Sequence, residues 1–226
     1  MSNKVKLVGY TIPDKDYFAG TGVETISDLI TFCGRVSNPS NQMNMDTADK
    51  LINYLLKHKH FSPFEMCNAV LEIETTRDIA RQILRHRSFA FQEFSQRYAD
   101  PTAALPMIVR ETRLQDTKNR QNSIETDDEN LGYRWEVRQK QLIEKAKETY
   151  DWAIENGIAK EVARSVLPEG NMMSRLYMNG TIRSWIHYLE VRTGNGTQKE
   201  HIEVAKQCAI ALSKIFPMFL GQSVNQ

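Results

Sequence analysis

The residues with the strongest chemical character lie in the segment 85–98, where arginines alternate with phenylalanines and with histidine, serine, glutamine and glutamate. Arginine is permanently charged and binds phosphate or carboxylate through paired hydrogen bonds. A desolvated anion site and a solvated charged face are both open for Arg85 and Arg87. Arg77 and Arg81 lie four positions apart on a predicted helix before this segment, and we interpret them as part of a solvated face.

Two histidines close together, His58 and His60, raise the question of a metal. No further ligand follows at a usual spacing, so the pair makes a poor zinc site and no metal is predicted. His58 suits the negative end of a helix. His60 stays open as a ligand-binding residue, because Ser62 and a rigid turn at Pro63 lie beside it.

Three arginines in the C-terminal half are further candidates. Arg183 and His187 fall on the face of a predicted helix opposite its apolar stripe. Arg192 follows Leu189 by three positions and points toward the packed side, where it needs either a structural carboxylate or a bound anion. Arg164 has two interpretations, a surface salt bridge or an anion contact.

Covalent catalysis finds little support. Cys33 and Cys208 lie on or beside apolar helix faces, where a thiol behaves as a small hydrophobic group. Neither Cys67 nor Ser95 has a neighbouring base that could activate it. A glycine-rich phosphate loop is absent as well. These residues therefore predict an aromatic-lined anion site without a nucleophile or metal.

Composition excludes several classes. The 226 residues include 29 basic and 28 acidic side chains, so the net charge of +1 provides no field for nucleic acid or membranes. The N-terminal residues 1–5 lack the apolar core of a signal peptide, and no apolar run is long enough to cross a bilayer. Three scattered cysteines fit reduced thiols, and we expect a cytoplasmic protein.

The elements that must position these residues follow from periodicity. Strands are predicted over 5–10, 69–74 and 171–178. Helices are predicted over 26–33, from 47 to about 57, and over 75–87, 133–155, 161–167, 181–192 and 198–216. Thr75 and Asp78 resemble a capping box for the third helix. The polar stretch 110–130 is predicted to be a mobile excursion. The fold class is α+β, a helix-rich single domain over 1–226 with a small, mostly antiparallel sheet.

The arginine segment also resembles the signature of the flavin-dependent thymidylate synthase family, R-H-R-x-x-S-x-N-x-x-S-x-R. The sequence matches this signature at Arg85, His86, Arg87, Ser95 and Arg97. It departs from the signature at Ala90, where the family has serine, and at Gln92, where the family has asparagine. Further blocks resemble the family in the expected order, namely 34–37, 60–65, 161–164 with 167–168, and 183–192.

The resemblance implies an activity, its co-substrates and an assembly. Deoxyuridine monophosphate (dUMP) would be converted to thymidylate (dTMP), with methylenetetrahydrofolate as carbon donor and NADPH-reduced FAD as hydride source. The family is homotetrameric, with active sites shared between subunits. The family's reaction uses no cysteine nucleophile, which agrees with the poor cysteine candidates.

The resemblance also assigns the site residues. Those implied to hold FAD are Ser37, Ser62, Arg85, His86, Arg87, Glu93, Thr181, Arg183 and His187, with His60 near the flavin and the folate. Those implied to hold the nucleotide are Gln82, Arg85, Glu93, Phe94, Ser95, Gln96, Arg97, Arg164 and Arg192. Arg192 is implied to be catalytic, because its permanent charge can stabilise the uracil ring as the ring loses its N3 proton.

A non-catalytic module is the alternative. Its arginine and aromatic side chains would bind the phosphates of a nucleotide or nucleic acid and stack on the bases. The near-neutral charge and the lack of an extended basic face count against it. Binding of FAD discriminates the two hypotheses.

Overall fold

A computed structural model describes residues 3–220, so residues 1–2 and 221–226, the two ends of the predicted 1–226 domain, lie outside the described residues. The strands are β1 (Lys4–Tyr10), β2 (Asn68–Thr76), β3 (Ala90–Glu93), β4 (Arg113–Gln115), β5 (Ser123–Glu125) and β6 (Met173–Thr181). The helices are α1 (Ile26–Gly34), α2 (Ala48–Lys57), α3 (Arg77–Ile83), α4 (Pro101–Ala104), α5 (Glu129–Glu155), α6 (Lys160–Ala163), α7 (Ile182–Arg192) and α8 (Lys199–Ser213).

The main sheet has four antiparallel strands in the order β1-β2-β6-β3. Alternation along β2 buries Leu71 and Ile73 on one face and places Glu72 and Glu74 on the other. The carboxylate of Glu74 accepts a hydrogen bond of 2.9 Å from Arg175 Nε of β6. One face is therefore apolar and covered by helices, whereas the other carries charge pairs. The α+β class with an antiparallel sheet is confirmed.

Both edges of this sheet are short or irregular. The pairing of β1 with β2 shifts register between Leu7 and Gly9, which is a bulge at Val8. Lys4 and Lys6 are exposed on β1, and β3 at the opposite edge spans only four residues. Neither edge pairs with a further strand in the part of the chain that the structure describes.

The core lies between the sheet and the helices α1, α3, α7 and α8. Its largest buried side chains include Trp185 and Tyr188 of α7 and Phe64 of a 3₁₀ turn over Ser62–Met66. The indole of Trp185 donates a hydrogen bond of 3.1 Å to the Ala69 carbonyl of β2. This bond satisfies the polar edge of a ring that is otherwise surrounded by apolar groups. It ties the helix that carries Arg183, His187 and Arg192 to the centre of the sheet.

Several predicted boundaries shift. Thr75 does not cap α3, because it still pairs with Ser174 in the sheet and Thr76 occupies the N-cap. Helix α3 ends at Ile83 because the chain turns there to enter β3, a strand that was not predicted. Helix α5 starts at Glu129 because the Asp128 side chain accepts a hydrogen bond from the Leu131 amide. The last predicted strand starts at Met173 and continues to Thr181, and the last helix ends at Ser213.

The excursion predicted over 110–130 contains an antiparallel hairpin, in which Leu114 of β4 pairs with Ile124 of β5. Charged pairs attach the hairpin to α8. Arg113 pairs with Glu200, and Lys199 lies 2.6 Å from Glu125. Ordering of this polar stretch was missed because its partners on α8 are distant in sequence.

Helix α2 ends in a tight turn that leads to His60. The His60 amide donates to the Leu55 carbonyl at 2.9 Å and the Lys59 amide donates to Leu56 at 3.1 Å, which is the hydrogen-bond pattern of a Schellman motif. Lys59 adopts a φ of 56°, a left-handed conformation usually left to glycine. His58 is the C-cap residue, as its interpretation as a helix-end histidine predicted.

Candidate active site

The turn between α3 and β3 presents the family signature. Arg85 and Arg87 are exposed, and neither forms an ion pair with another residue of the described range 3–220. His86 between them is half-buried, and its ring lies 5.0 Å from that of Tyr188. The Phe89 ring packs edge-on against Trp185 at 4.8 Å. The aromatic residues therefore anchor the turn, and its two outer guanidinium groups remain available to an anion.

Arg192 meets His86 across the space between α7 and this turn. Its Nε donates a hydrogen bond of 2.8 Å to His86 Nε2. Burial, together with the charges of Arg192, His187 and Arg85, lowers the pKa of His86 to about 4. The imidazole is therefore neutral and can accept this bond. The prediction that Arg192 points toward packed groups is confirmed, but its partner is an imidazole and not a structural carboxylate.

Glu93 is the centre of a charged cluster. Its carboxylate pairs with Arg81, lies 3.5 Å from Arg77 and accepts a bond of 2.9 Å from the Ser174 hydroxyl. The interpretation as a solvated face is wrong for Arg77, since its side chain is only 11% exposed and also pairs with Glu169 at 3.6 Å. Arg81 is exposed, as that interpretation predicted, although it pairs with Glu93. These partners hold the Glu93 side chain in place.

Both the nitrogen and the oxygen of the Gln82 side-chain amide have a hydrogen-bond partner. Its Nε2 donates to Gln198 Oε1 at 2.8 Å, and its Oε1 lies 3.2 Å from Nδ1 of the fully buried His201. Nε2 of His201 lies 3.1 Å from the Tyr188 hydroxyl. Neither Gln198 nor His201 was singled out in the sequence, because a buried histidine on an apolar helix face gives no signal of its own.

A second group of predicted nucleotide residues assembles around α6. Arg97 Nη2 lies 3.1 Å from a carboxylate oxygen of Glu161, and Arg164 Nε lies 3.4 Å from the carbonyl of the same residue. Ser95 Oγ accepts a bond of 3.3 Å from the Arg97 amide. The surface salt bridge considered for Arg164 is replaced by this backbone contact. No hydrogen bond or ion pair within residues 3–220 joins this group to Arg192.

The two other predicted nucleotide residues, Phe94 and Gln96, are less available. The Phe94 amide donates to the Arg175 carbonyl at 2.8 Å, and its ring packs in a small apolar cluster with Leu105 and Met173. The Gln96 side chain is buried. Within one chain, therefore, the accessible groups of this segment are those of Ser95 and Arg97.

The predicted flavin residues near the N-terminal half fall into two places. Ser37 lines a cavity of about 450 Å³ together with Arg35, Asn38 and Tyr54. The ring of Tyr54 lies 5.9 Å from that of His60. Ser62 is exposed at the start of the next turn.

Glu65 links the remaining flavin residues and was missed as a site residue, although it lies within the matching block 60–65. It accepts a hydrogen bond of 2.9 Å from Thr181 Oγ1 and lies 3.2 Å from Arg183 Nη1. Thr181 caps α7 by accepting from the Ser184 amide at 3.1 Å. His187 is exposed on the same helix and near enough to His86 to influence its pKa.

A cavity of about 730 Å³ contains none of the predicted site residues. It lies under the hairpin and is lined mainly by charged groups such as Arg110, Glu111, Glu125 and Lys199. The signature residues lie elsewhere, at the turn between α3 and β3.

None of the three cysteines is poised as a nucleophile. Burial raises the pKa of Cys67 to about 12, with a smaller contribution from Cys33. Burial also raises the pKa values of Cys33 and Cys208. All three are therefore thiols at neutral pH. Among residues 3–220, no group of three or more histidine, cysteine or acidic side chains is arranged to hold a metal, and no helix is long and apolar enough to cross a membrane.

The half-buried His86 and the fully buried His201 predict an acid-sensitive fold. Burial lowers the pKa of His86 to about 4 and that of His201 to about 3, with nearby positive charge adding to both shifts. An unfolded histidine has a pKa of about 6.5, so the unfolded state binds more protons at low pH. This stability is complete above about pH 6.5 and declines as the pH falls toward the folded-state values.

Each buried histidine contributes a slope of at most about 1.4 kcal/mol per pH unit. Urea unfolding at pH 7 and pH 5 measures the loss. His201→Asn, which removes the titrating ring, is expected to flatten the slope. If the unfolding free energy changes equally with pH in the wild type and in the variant, His201 is not a source of the acid sensitivity.

The fold and the site define an α+β protein with an arginine-rich turn. In this turn the neutral His86 accepts a hydrogen bond from Arg192 of α7. The chain belongs to the thymidylate synthase complementing protein family, whose model matches residues 23–218. It is 48% identical over 212 residues to a "Probable flavin-dependent thymidylate synthase" of Paramecium bursaria Chlorella virus 1, covering 94% of each chain. It is 49% identical over 189 residues to the "Flavin-dependent thymidylate synthase" of Synechocystis sp., covering 84% of this chain and 85% of the relative.

A solved structure is also similar to this chain. It is a UMP/dUMP methylase, PolB, from Streptomyces cacaoi bound with 5-Br dUMP. The identity is 26% and the TM-score 0.73, over 98% of this chain and 94% of the other. The similarity therefore extends through the sheet and the helices that position the site.

Proposed function

We propose that this chain is a flavin-dependent thymidylate synthase that methylates dUMP to dTMP. The hydrogen bond of 2.8 Å between Arg192 and His86 carries the proposal, because it unites the signature turn with α7, two blocks that are 106 positions apart. Family membership, the names of the relatives and the dUMP analogue bound in the similar methylase support it. We assign the activity to one domain over 1–226 and its location to the cytoplasm.

FAD fits the residues assigned to it. Arg85, Arg87 and Arg183 can neutralise a diphosphate, and Ser37 lines a cavity of about 450 Å³ that can accept part of an extended cofactor. The remaining assigned residues are Ser62, His86, Glu93, Thr181 and His187, with His60 beside the flavin and the folate. When bound, FAD supplies hydride chemistry, with NADPH as reductant and methylenetetrahydrofolate as the one-carbon donor.

We assign the nucleotide to Arg192 and to the group formed by Arg97 and Arg164. Arg97 and Arg164 suit its phosphate, while Gln82, Glu93 and Ser95 provide hydrogen bonds. Arg85, Phe94 and Gln96 complete the assigned set. Nε of Arg192 is occupied by His86, and its two Nη groups have no hydrogen-bond partner within residues 3–220, so they can face an anionic oxygen.

Arg192 is the catalytic residue of this proposal. Its fixed charge stabilises the uracil ring as the N3 proton leaves, because the neutral His86 orients the guanidinium without adding a competing charge. The ring carbon that attacks the one-carbon unit gains electron density as a result. No cysteine nucleophile is required, in agreement with the raised thiol pKa values.

We propose a homotetramer in which neighbouring subunits complete each site. The lack of a polar contact between the Arg97–Arg164 group and Arg192 within residues 3–220 supports this arrangement, since one nucleotide could then bridge groups from two subunits. The exposed Arg85 and Arg87 would likewise meet anions at a subunit boundary. Neither nucleic acid nor a membrane is assigned as a partner.

The test is flavin binding followed by turnover. The purified protein should show a flavin absorbance band or acquire one with added FAD, and it should oxidise NADPH anaerobically and release dTMP when dUMP and methylenetetrahydrofolate are present. Omitting the folate should abolish dTMP formation. A protein that binds nucleotide but neither FAD nor NADPH would instead be the non-catalytic module.

A further inference from the structure

A continuous chain of hydrogen bonds runs through the interior behind Gln82. It connects Tyr188, His201, Gln82, Gln198 and Glu200 by contacts of 3.1, 3.2, 2.8 and 2.9 Å. Tyr188 and His201 are fully buried. His201 is the only histidine in this series of hydrogen bonds, and the proposed mechanism does not yet use it.

The carboxylate of Glu200 determines, from one end of this series of hydrogen bonds, which group donates and which accepts. Its carboxylate pairs with Arg110 at 3.3 Å and with Arg113, and it accepts from Gln198. Burial raises the pKa of Glu200, but hydrogen bonds from its own amide and from Gln198, together with the two arginines, lower it more and keep the group ionised. An ionised carboxylate only accepts, so the Gln198 amide nitrogen must face it.

The donor and the acceptor in each of the other hydrogen bonds follow from this one. Gln198 presents its oxygen to Gln82, which must therefore donate from Nε2 and turn its own oxygen toward His201. His201 must then donate from Nδ1–H and accept a hydrogen bond from the Tyr188 hydroxyl at Nε2. This is one of the two neutral tautomers, and the neutral form is favoured because burial and nearby positive charge lower the pKa of His201 to about 3.

We propose that His201 is a positioning residue for the nucleotide: its Nδ1–H, together with the Gln198 oxygen, holds the Gln82 amide in one orientation. In that orientation one N–H of Gln82 is bound to Gln198 and one oxygen lone pair is bound to His201. One N–H and one lone pair remain, and these form the matched donor and acceptor that Gln82 offers to dUMP. The inference rests on the proposed function, because it assumes that Gln82 contacts the nucleotide.

The first test replaces the donor by an apolar group of similar size. In the FAD-loaded protein, His201→Leu should raise the dUMP dissociation constant roughly tenfold, as expected for a lost hydrogen bond and a free amide. Flavin content and kcat at saturating dUMP should stay near the wild-type values. His201→Asn keeps an amide N–H near the Nδ1 position and should restore most of the affinity.

A second variant separates positioning from stability. His201→Leu leaves the Tyr188 hydroxyl buried without its partner, so this variant should also melt at a lower temperature. His201→Leu with Tyr188→Phe removes that hydroxyl and should recover the melting temperature while dUMP binding stays weak. Calorimetric titration with dUMP and thermal melts measure both quantities.

The outcomes are distinct. A double variant that binds dUMP as tightly as the wild type would overturn the role of His201, and so would affinities that follow melting temperature alone across the set. A wild-type protein that binds FAD but no dUMP would overturn the proposed function and this assignment with it.

Discussion

Replacing Arg192 by alanine is expected to leave FAD bound and to lower kcat for dTMP formation by at least about 10²–10³-fold. The reason is that Arg192 is held by its hydrogen bond to the neutral His86, and we propose that its Nη groups contact the uracil ring. Removing the fixed charge leaves the deprotonating ring without its stabilising partner. Anaerobic single-turnover assays of dTMP formation, with flavin absorbance measured on the same sample, check the prediction.

Arg87→Ala is the matched control for Arg192→Ala. Arg87 is exposed and free of ion pairs within residues 3–220, and we assign it to the flavin. Its loss should deplete bound FAD, and added FAD should restore part of the turnover. Near-normal turnover in Arg192→Ala would remove Arg192 from the mechanism, whereas an unchanged flavin content in Arg87→Ala would remove Arg87 from the flavin site.

Gly180→Ala is expected to destabilise the fold and to weaken flavin binding together. A Cβ at Gly180 would overlap the Phe89 ring carbons Cδ1 and Cε1. Phe89 has little room to move, because its ring packs against Trp185 at 4.8 Å and lies 6.0 Å from that of Tyr188. Overpacking of this kind costs about 1–3 kcal/mol of unfolding free energy. A shifted Phe89 would also disturb the neighbouring His86.

Thermal melts and flavin titration measure the two effects of Gly180→Ala. In a chain of this size each kcal/mol lowers the melting temperature by roughly 2–4 °C. Gly170→Ala is the control, since a Cβ at Gly170 meets no atom within 4 Å. Equal melting temperatures for the two variants would show that the Phe89 ring relaxes at no cost.

Much of the fold follows from the periodicity of the sequence. Alternation over 69–74 and the helical spacing of Trp185, Ile186 and Leu189 predict β2 and α7, because both elements bury one regular face. The strand β3 escaped prediction because it is short and only half-buried. Its pairing with β6 depends on a partner about 85 residues away.

The site is predictable only in part. The signature identifies the turn, but the burial of Arg77 depends on Glu93 and Glu169, which the folded chain brings to it. Glu65 and His201 were missed because their contacts with Thr181 and Gln82 cross more than a hundred positions. Single-sequence patterns report local periodicity, whereas such contacts exist only after the sheet has formed.

The irregular edges of the sheet have a consequence for solution behaviour. An uninterrupted edge strand is a template on which another chain can add by backbone pairing, which leads to aggregation. Here one edge has a bulge at Val8 with Lys4 and Lys6 exposed, and the other is four residues long. Both edges therefore disfavour the addition of a further strand from another chain. We expect the protein to resist fibril-like association at high concentration.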